Sequence, residues 1–305
     1  MSATSSTSRA GAPRTAKRAP WPGRAGHGFV AAYTVLLIAF GVIPTGYAIY
    51  FAFTDADAKF TGFSNFTAAA SDFRYLPAIG HIALYLLFWL ISLVVCVVVL
   101  ALLLHRLAAR GVSRALRFLY YIPGALAGAA SVMVWLFLLD PSVSPVGFLL
   151  RALGYDTFGQ VIAPGHLPIL FTLIAFWTGA GGWIVVMYGA LNNISADILE
   201  AARIDGAGAL RTARHIQIPL LRKWIVYMAI LAFAGGTQLF VEPQLLSQAS
   251  LGVAGRDYSP NQLSYDFAFQ NNNVNTAAAI SVELLVLGLV AAALFVARSG
   301  FFDAD

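Results

Sequence analysis

Two carboxylates lie inside long apolar stretches of this 305-residue chain: Glu242, beside Pro243, and Glu283, a turn or two after Asn275. An ionisable side chain within a bilayer is costly and ordinarily faces a pore, a cavity or a partner helix. Together with Gln238, these groups can exchange paired hydrogen bonds with hydroxyls, while Tyr120, Tyr121, Trp135, Trp177 and Phe240 can cover the apolar face of a ring. Such chemistry suits a sugar-like solute, and Gln238, Phe240, Glu242, Glu283, Tyr121 and Trp177 are its candidate path residues. Plainer readings stand beside it: Glu242 at the outer membrane interface, and Glu283 bonded to a neighbouring helix.

Other chemistries lack their residues. His27, His81, His105, His166 and His215 are scattered without paired ligand spacing, so no metal is expected. The single cysteine, Cys96, can form neither an internal disulfide nor a cysteine-based metal site, and it reads as a small buried apolar residue. No nucleophile with an oriented base stands out. A phosphate-binding loop needs Gly-Lys-Ser/Thr, yet Lys17, Lys59 and Lys223 are each followed by the wrong residue. The chain is therefore expected to bind no cofactor of its own.

The elements that must position these groups are membrane helices. Hydrophobic residues make up 59% of the chain and charged residues 11%, against about a quarter charged in a soluble domain. The apolar residues fall in blocks near or above the roughly 20 residues that cross a bilayer core as a helix. Six are read, at about 29–53, 78–104, 116–139, 166–191, 222–246 and 275–297. A membrane β-barrel would need alternating apolar and polar residues, and Leu90 to Leu104 does not alternate. The expected fold is an all-α integral membrane protein with six transmembrane helices. Its first block is too long for a signal-peptide core and is read as an uncleaved span.

Lys and Arg give the orientation. Fifteen of the nineteen lie in the N-terminal tail, the second and fourth connections and the C-terminal end, all on one side of a six-span topology. Lys59, Arg74, Arg151 and Arg256 lie on the other. By the positive-inside rule both termini are cytoplasmic. The tail, 1–28, is read as a disordered basic segment meeting anionic lipid rather than nucleic acid. The membrane domain runs over 29–298, and 299–305 is a short C-terminal tail. The outward connections, 54–77, 140–165 and 247–274, are too short for a further domain, and aromatics such as Phe60, Phe63 and Phe66 suit the headgroup level. Gly124, Gly128, Gly179, Gly181, Gly182, Gly235 and Gly236 argue for close helix packing, with sliding or bending at the glycines as the alternative. Asn271, Asn272 and Asn273 read as a polar loop and helix cap.

The fourth connection, 192–221, reads as two short helices with a break. Ser195 can cap the first, Asp197 suits its positive N-terminus, and Gly206 can end it in the left-handed conformation. A second stretch runs to about Ile216, and Pro219 is expected to open the fifth span. Ile194, Ile198, Leu199 and Ala202 recur at helical spacing, as do Leu210, Ala213 and Ile216, giving an amphipathic elbow. Pattern alone leaves open whether it covers its own spans or docks to another protein.

Glu200-Ala201-Ala202, then Asp205-Gly206-Ala207, then Ile216, Ile218 and Pro219 resemble the EAA loop of binding-protein-dependent ABC transporter permeases. Ile122-Pro123, Trp135, Trp177, Tyr265 and Ala268-Phe269 extend the similarity to carbohydrate-type permeases, specifically the first of the paired subunits, related to the maltose and glycerol-3-phosphate permeases. Ala213, where a bulky aromatic is common, and Arg222-Lys223, where a proline is common, depart from the pattern. The resemblance implies a non-catalytic subunit of an ATP-driven sugar importer in a bacterial cytoplasmic (inner) membrane. It implies a second six-span permease, a cytoplasmic ATPase dimer that binds ATP and Mg, and an extracytoplasmic solute-binding protein as partners. Glu200, Ala201, Ala202, Asp205, Gly206, Ala207, Ile216 and Pro219 would then couple the spans to the ATPase: Glu200 through a polar contact, Gly206 through the turn, the alanines through close packing. A secondary transporter using Glu242 or Glu283 for proton coupling is the alternative, although it lacks visible internal repetition, and a membrane enzyme is a third.

Overall fold

The computed structural model describes residues 23–107, 110–126 and 128–299, and among them every regular element is a helix apart from an isolated bridge between Thr54 and Phe60. Arg9, Arg14, Lys17 and Arg18 of the expected basic tail lie outside the described residues, as do 300–305.

The chain divides after Tyr47. In the first unit, α1 (Gly23–Leu37) continues through a π-helical turn at Ile38–Val42 into α2 (Ile43–Ala52). That turn ends two residues before Pro44. A proline ring inside a regular helix meets the carbonyl four residues back, and a widened turn relieves the clash. Val30, Leu36 and Phe40 are uncovered, as lipid-facing side chains are.

The second unit begins with the last turn of α2, whose carbonyls have no helical partner. Two asparagine amides take them. Asn65, on α3 (Ser64–Ser71), donates to Ala52 at 3.0 Å and Thr54 at 2.8 Å, and Asn275 donates to Phe51 at 3.1 Å and Thr54 at 2.7 Å. Phe53, Phe60, Phe63 and Phe66 cluster beside this junction with ring centroids 5.1–6.3 Å apart.

The core lies where α4 (Tyr75–Arg106) packs along α9 (Leu167–Asn192). Leu93, Val97 and Ala101, one turn apart, are fully buried there with Phe171, Ile184, Met187 and Leu191. Cys96 falls off that stripe and is exposed, which corrects its reading as a buried residue. Glycine is required at two crossings. A methyl group at Gly124 would sit 2.8 Å from the carbonyl oxygen of Thr178, and one at Gly181 would overlap the carbonyl of Tyr120. Gly128, Gly182 and Gly235 face open space, so close packing explains only part of the small-residue pattern.

Among the described residues five helical runs are long and apolar enough to cross a membrane: Val30–Ala52, Tyr75–Arg106, Pro164–Asn192, Ala209–Gly236 and Val274–Ala297. The remaining expected block, 116–139, is no straight helix. α5 (Arg110–Tyr121) leads through a 3-10 turn at Ile122–Ala125 to α6 (Gly128–Leu139), and the two helical pieces differ by 101°. Pro123 sits inside the first piece, in the 3-10 turn, and the bend falls beyond that turn, after Ala125, where Leu126 is extended. Counted as one bent span, this pair is the sixth. Two short helices, α7 (Gly147–Ala152) and α8 (Phe158–Val161), occupy the connection that follows.

The block expected at 222–246 is shifted. Its helix starts at Ala209, passes through a π-helical turn at Ala213–Gln217, and continues as α12 (Ile218–Gly236). Pro219 therefore does not open a span; it lies two residues beyond a widened turn, as Pro44 does. The helix stops at Gly236, and α13 (Val241–Ala249) follows separately. Carbonyls freed at this break are taken from a distance: Asn261 donates to Thr237 at 2.9 Å and Ser259 to Leu239 at 2.7 Å. Both donors belong to the start of α14 (Pro260–Phe269), which precedes α15 (Val274–Ser299). Asn273 caps α15 by accepting from the Thr276 amide at 3.0 Å.

Candidate functional site

The elbow after α9 is built by local rules. Ser195 accepts from the Asp197 amide at 3.3 Å and starts α10 (Ala196–Ile204). At the other end the Ala207 amide reaches the Ala202 carbonyl at 2.9 Å, and the Gly206 amide reaches Arg203 at 3.0 Å. With Gly206 at φ +72°, these bonds form a Schellman stop, which only glycine makes without strain. α11 (Ala209–Thr212) then enters the long helix. Arg106, the last residue of α4, donates to the Ala209 carbonyl and ties the elbow to the core. Arg117 of α5 lies 3.9 Å over the Tyr188 ring near the end of α9.

Of the eight expected elbow residues, Ala201, Ala202, Asp205, Ala207 and Ile216 line one groove with Ile198. Ala202 is buried at the base of that groove. Glu200 is exposed on α10, Gly206 makes the turn, and Pro219 is exposed on α12. The apolar residues of the elbow are only partly covered by the chain itself: Ile204 is 86% exposed and Leu210 81%. Gln217, inside the π-helical turn, is buried, and its side-chain oxygen has no partner among the described residues.

The six candidate path residues do not meet in one place. Trp177 stands edge-on to Trp135 at 5.9 Å, and both line an apolar cavity with Tyr120, Leu119, Ile122 and Phe176. Tyr121, beside the bend, is exposed. Gln238 and Phe240 occupy the break after α12, and Glu242 sits half-buried in the first turn of α13 within electrostatic reach of Tyr85. Glu242 is thus outside the helix in which the sequence places it. Glu283 accepts a hydrogen bond from the Tyr75 hydroxyl, joining α15 to the start of α4.

A polar cluster that sequence reasoning missed lies close to Tyr75. Arg74 pairs with Asp72 at 2.9 Å and with Asp266 at 2.7 Å. The side-chain hydrogen bond from Arg74 holds the Asp72 carboxyl below the usual carboxylate range. Asp266 is 192 residues away from Arg74 along the chain, so no local signal announces the pair.

Residues 98–299 match the family of binding-protein-dependent transport system inner membrane components. The chain is 27% identical over 292 residues to the diacetylchitobiose uptake system permease protein of Streptomyces coelicolor, spanning 87% of this chain and 79% of that one. It is 28% identical over 197 residues to the sn-glycerol-3-phosphate transport system permease protein of Escherichia coli, spanning 63% of this chain and 66% of the relative. A crystal structure of a bacterial ABC transporter involved in alginate import shares the fold, with a TM-score of 0.79 at 18% identity over 90% of this chain and 95% of that one. The match covers well over half of the chain, from the end of α4 through α15 with the elbow included, and the protein belongs to the family of binding-protein-dependent transport system inner membrane components.

Proposed function

We propose that this chain is one of two paired permease subunits of an ATP-driven importer for a sugar or sugar-like solute, with its elbow seated on a cytoplasmic ATPase. The observation that carries the proposal is the elbow itself. Its position is fixed by a cap, a Schellman stop and the Arg106 tie, yet Ile204 and Leu210 remain uncovered. An apolar face held rigidly in an aqueous connection is ready to be completed by another protein. Names of relatives that carry diacetylchitobiose and glycerol phosphate support polyhydroxylated cargo.

In this reading both termini are cytoplasmic, and a solute-binding protein delivers cargo to the opposite face. ATP and Mg bind to the ATPase dimer. ATP binding closes that dimer, the elbow moves with it, and α12 transmits the motion to the break at Thr237–Phe240. Gln238, Phe240 and Glu242 stand at the moving end and offer an amide, a ring and a carboxylate to the solute. The cavity at Trp135 and Trp177 offers aromatic faces nearer the bent pair.

Purification of the tagged chain from its native membrane in mild detergent should recover an ATPase and a second six-span protein. Glu200→Lys should abolish uptake while leaving membrane insertion intact. Normal uptake by that variant would remove the coupling role.

A further inference from the structure

At the end of α12 opposite the elbow, α13 and α14 flank a pocket of about 220 Å³ lined by side chains that all carry a polar group. Gln244, Gln248, Gln270, Arg256, Asp266 and Tyr265 face it, with Gln262 at its floor. The run Ala209–Gly236 holds 28 residues, so this pocket and the elbow are separated by about 40 Å of helix.

Three of its walls are fixed before any ligand arrives. The buried Gln262 amide donates to the side-chain oxygen of Gln244 at 3.1 Å, which turns the Gln244 amino group to other use. Asp266 has one oxygen held by Arg74 at 2.7 Å and no hydrogen-bond partner recorded for the other among the described residues. The Tyr265 ring is held by tilted contacts with Phe240 at 5.4 Å and Phe269 at 4.7 Å. Gln248, Gln270 and Arg256 stand exposed at the rim.

Amides, a guanidinium and a carboxylate are planar groups that bond two adjacent hydroxyls at once, and a rigid aromatic ring covers the C–H face of a pyranose. The neighbouring Trp135 cavity is the reverse, lined almost wholly by apolar side chains.

We propose that this pocket binds a single sugar ring, receiving one unit of the solute before it reaches Phe240 and the break in the membrane domain. The proposal rests on the sugar-import reading for its place in transport. Its binding chemistry stands on the pocket alone.

The test is saturation-transfer NMR on the full chain in detergent micelles, with maltose and N-acetylglucosamine as probes and triethylene glycol as a control without ring hydroxyls. At least one sugar should receive saturation on its ring protons, and the control should receive none. The double variant Gln248→Ala, Gln270→Ala alters only exposed side chains and should fold; two lost hydrogen bonds should weaken sugar binding about tenfold. Absence of transfer to either sugar in the unaltered chain, transfer equal to that of the control, or undiminished transfer in the double variant would overturn the proposal. Because this readout needs no ATPase, sugar transfer without ATPase recovery would end the coupling reading and leave the pocket standing.

Discussion

The two ends of the long helix Ala209–Gly236 are finished in opposite ways. At the elbow end, short-range bonds from Ser195, Gly206 and Ala207 fix the backbone, and large apolar side chains are left in the open. At the far end, Ser259, Asn261 and Gln262 reach back across the chain to satisfy the carbonyls and side chains of the break and of α13. The first end has a settled shape and an unfinished surface. The second has its backbone break satisfied internally by side chains, and its remaining polar side chains are free to serve a solute. Shape without coverage points to a protein partner, and coverage with spare polar groups points to a small hydrophilic one.

Three variants break or sharpen that contrast. The largest effect on stability is expected from Gln262→Leu. It strips the partner from the Tyr258 amide, the Gln244 side chain and Ser247 in a site that is 1% exposed, and should cost about 3 kcal/mol in thermal or denaturant unfolding. A loss below about 0.5 kcal/mol would mean that the far end is not held by this network.

A smaller effect is expected from Asp72→Asn, with a defined pH dependence. Because Arg74 depresses the Asp72 carboxyl, the stabilisation is complete above the unfolded carboxylate range, near pH 4, and fades as pH falls through the lower folded value. The variant should melt earlier than the parent at about pH 7, and the gap should narrow below about pH 4. A gap independent of pH would remove the ion pair from the account.

Smallest of all, Ile204→Asp with Leu210→Asp should shift unfolding by no more than about 0.5 kcal/mol, since both side chains are already exposed. The same pair should abolish recovery of the ATPase in affinity purification. Recovery at the level of the parent would show that the open apolar face is not the docking surface.

How much of this was legible in the sequence follows from the distance over which each feature acts. Ser195, Asp197 and Gly206 were readable because a cap and a stop involve residues within a few positions of each other. The family assignment rested on the same compact stretch. The break after Gly236 was not readable as such, since its carbonyls are satisfied from 20 and 24 residues downstream. The glycines of the third block are compatible with close packing or with bending, and the structure shows both: Gly124 packs closely against Thr178, and the chain bends after Ala125. The partner of Glu283, Tyr75, lies 208 residues away, beyond the reach of any pattern in one sequence.

The π-helical turn at Ala213–Gln217 gives the long helix a setting in rotation. A turn of this kind holds one residue more than its neighbours, and each residue of a regular helix carries the chain through about 100° and 1.5 Å. The azimuth of the elbow around the axis of α12 is therefore set by a single residue. Deleting one residue from this turn would swing Glu200 and Ile204 to another quadrant while leaving both helices intact, so the elbow's heading is written in chain length as much as in side chains.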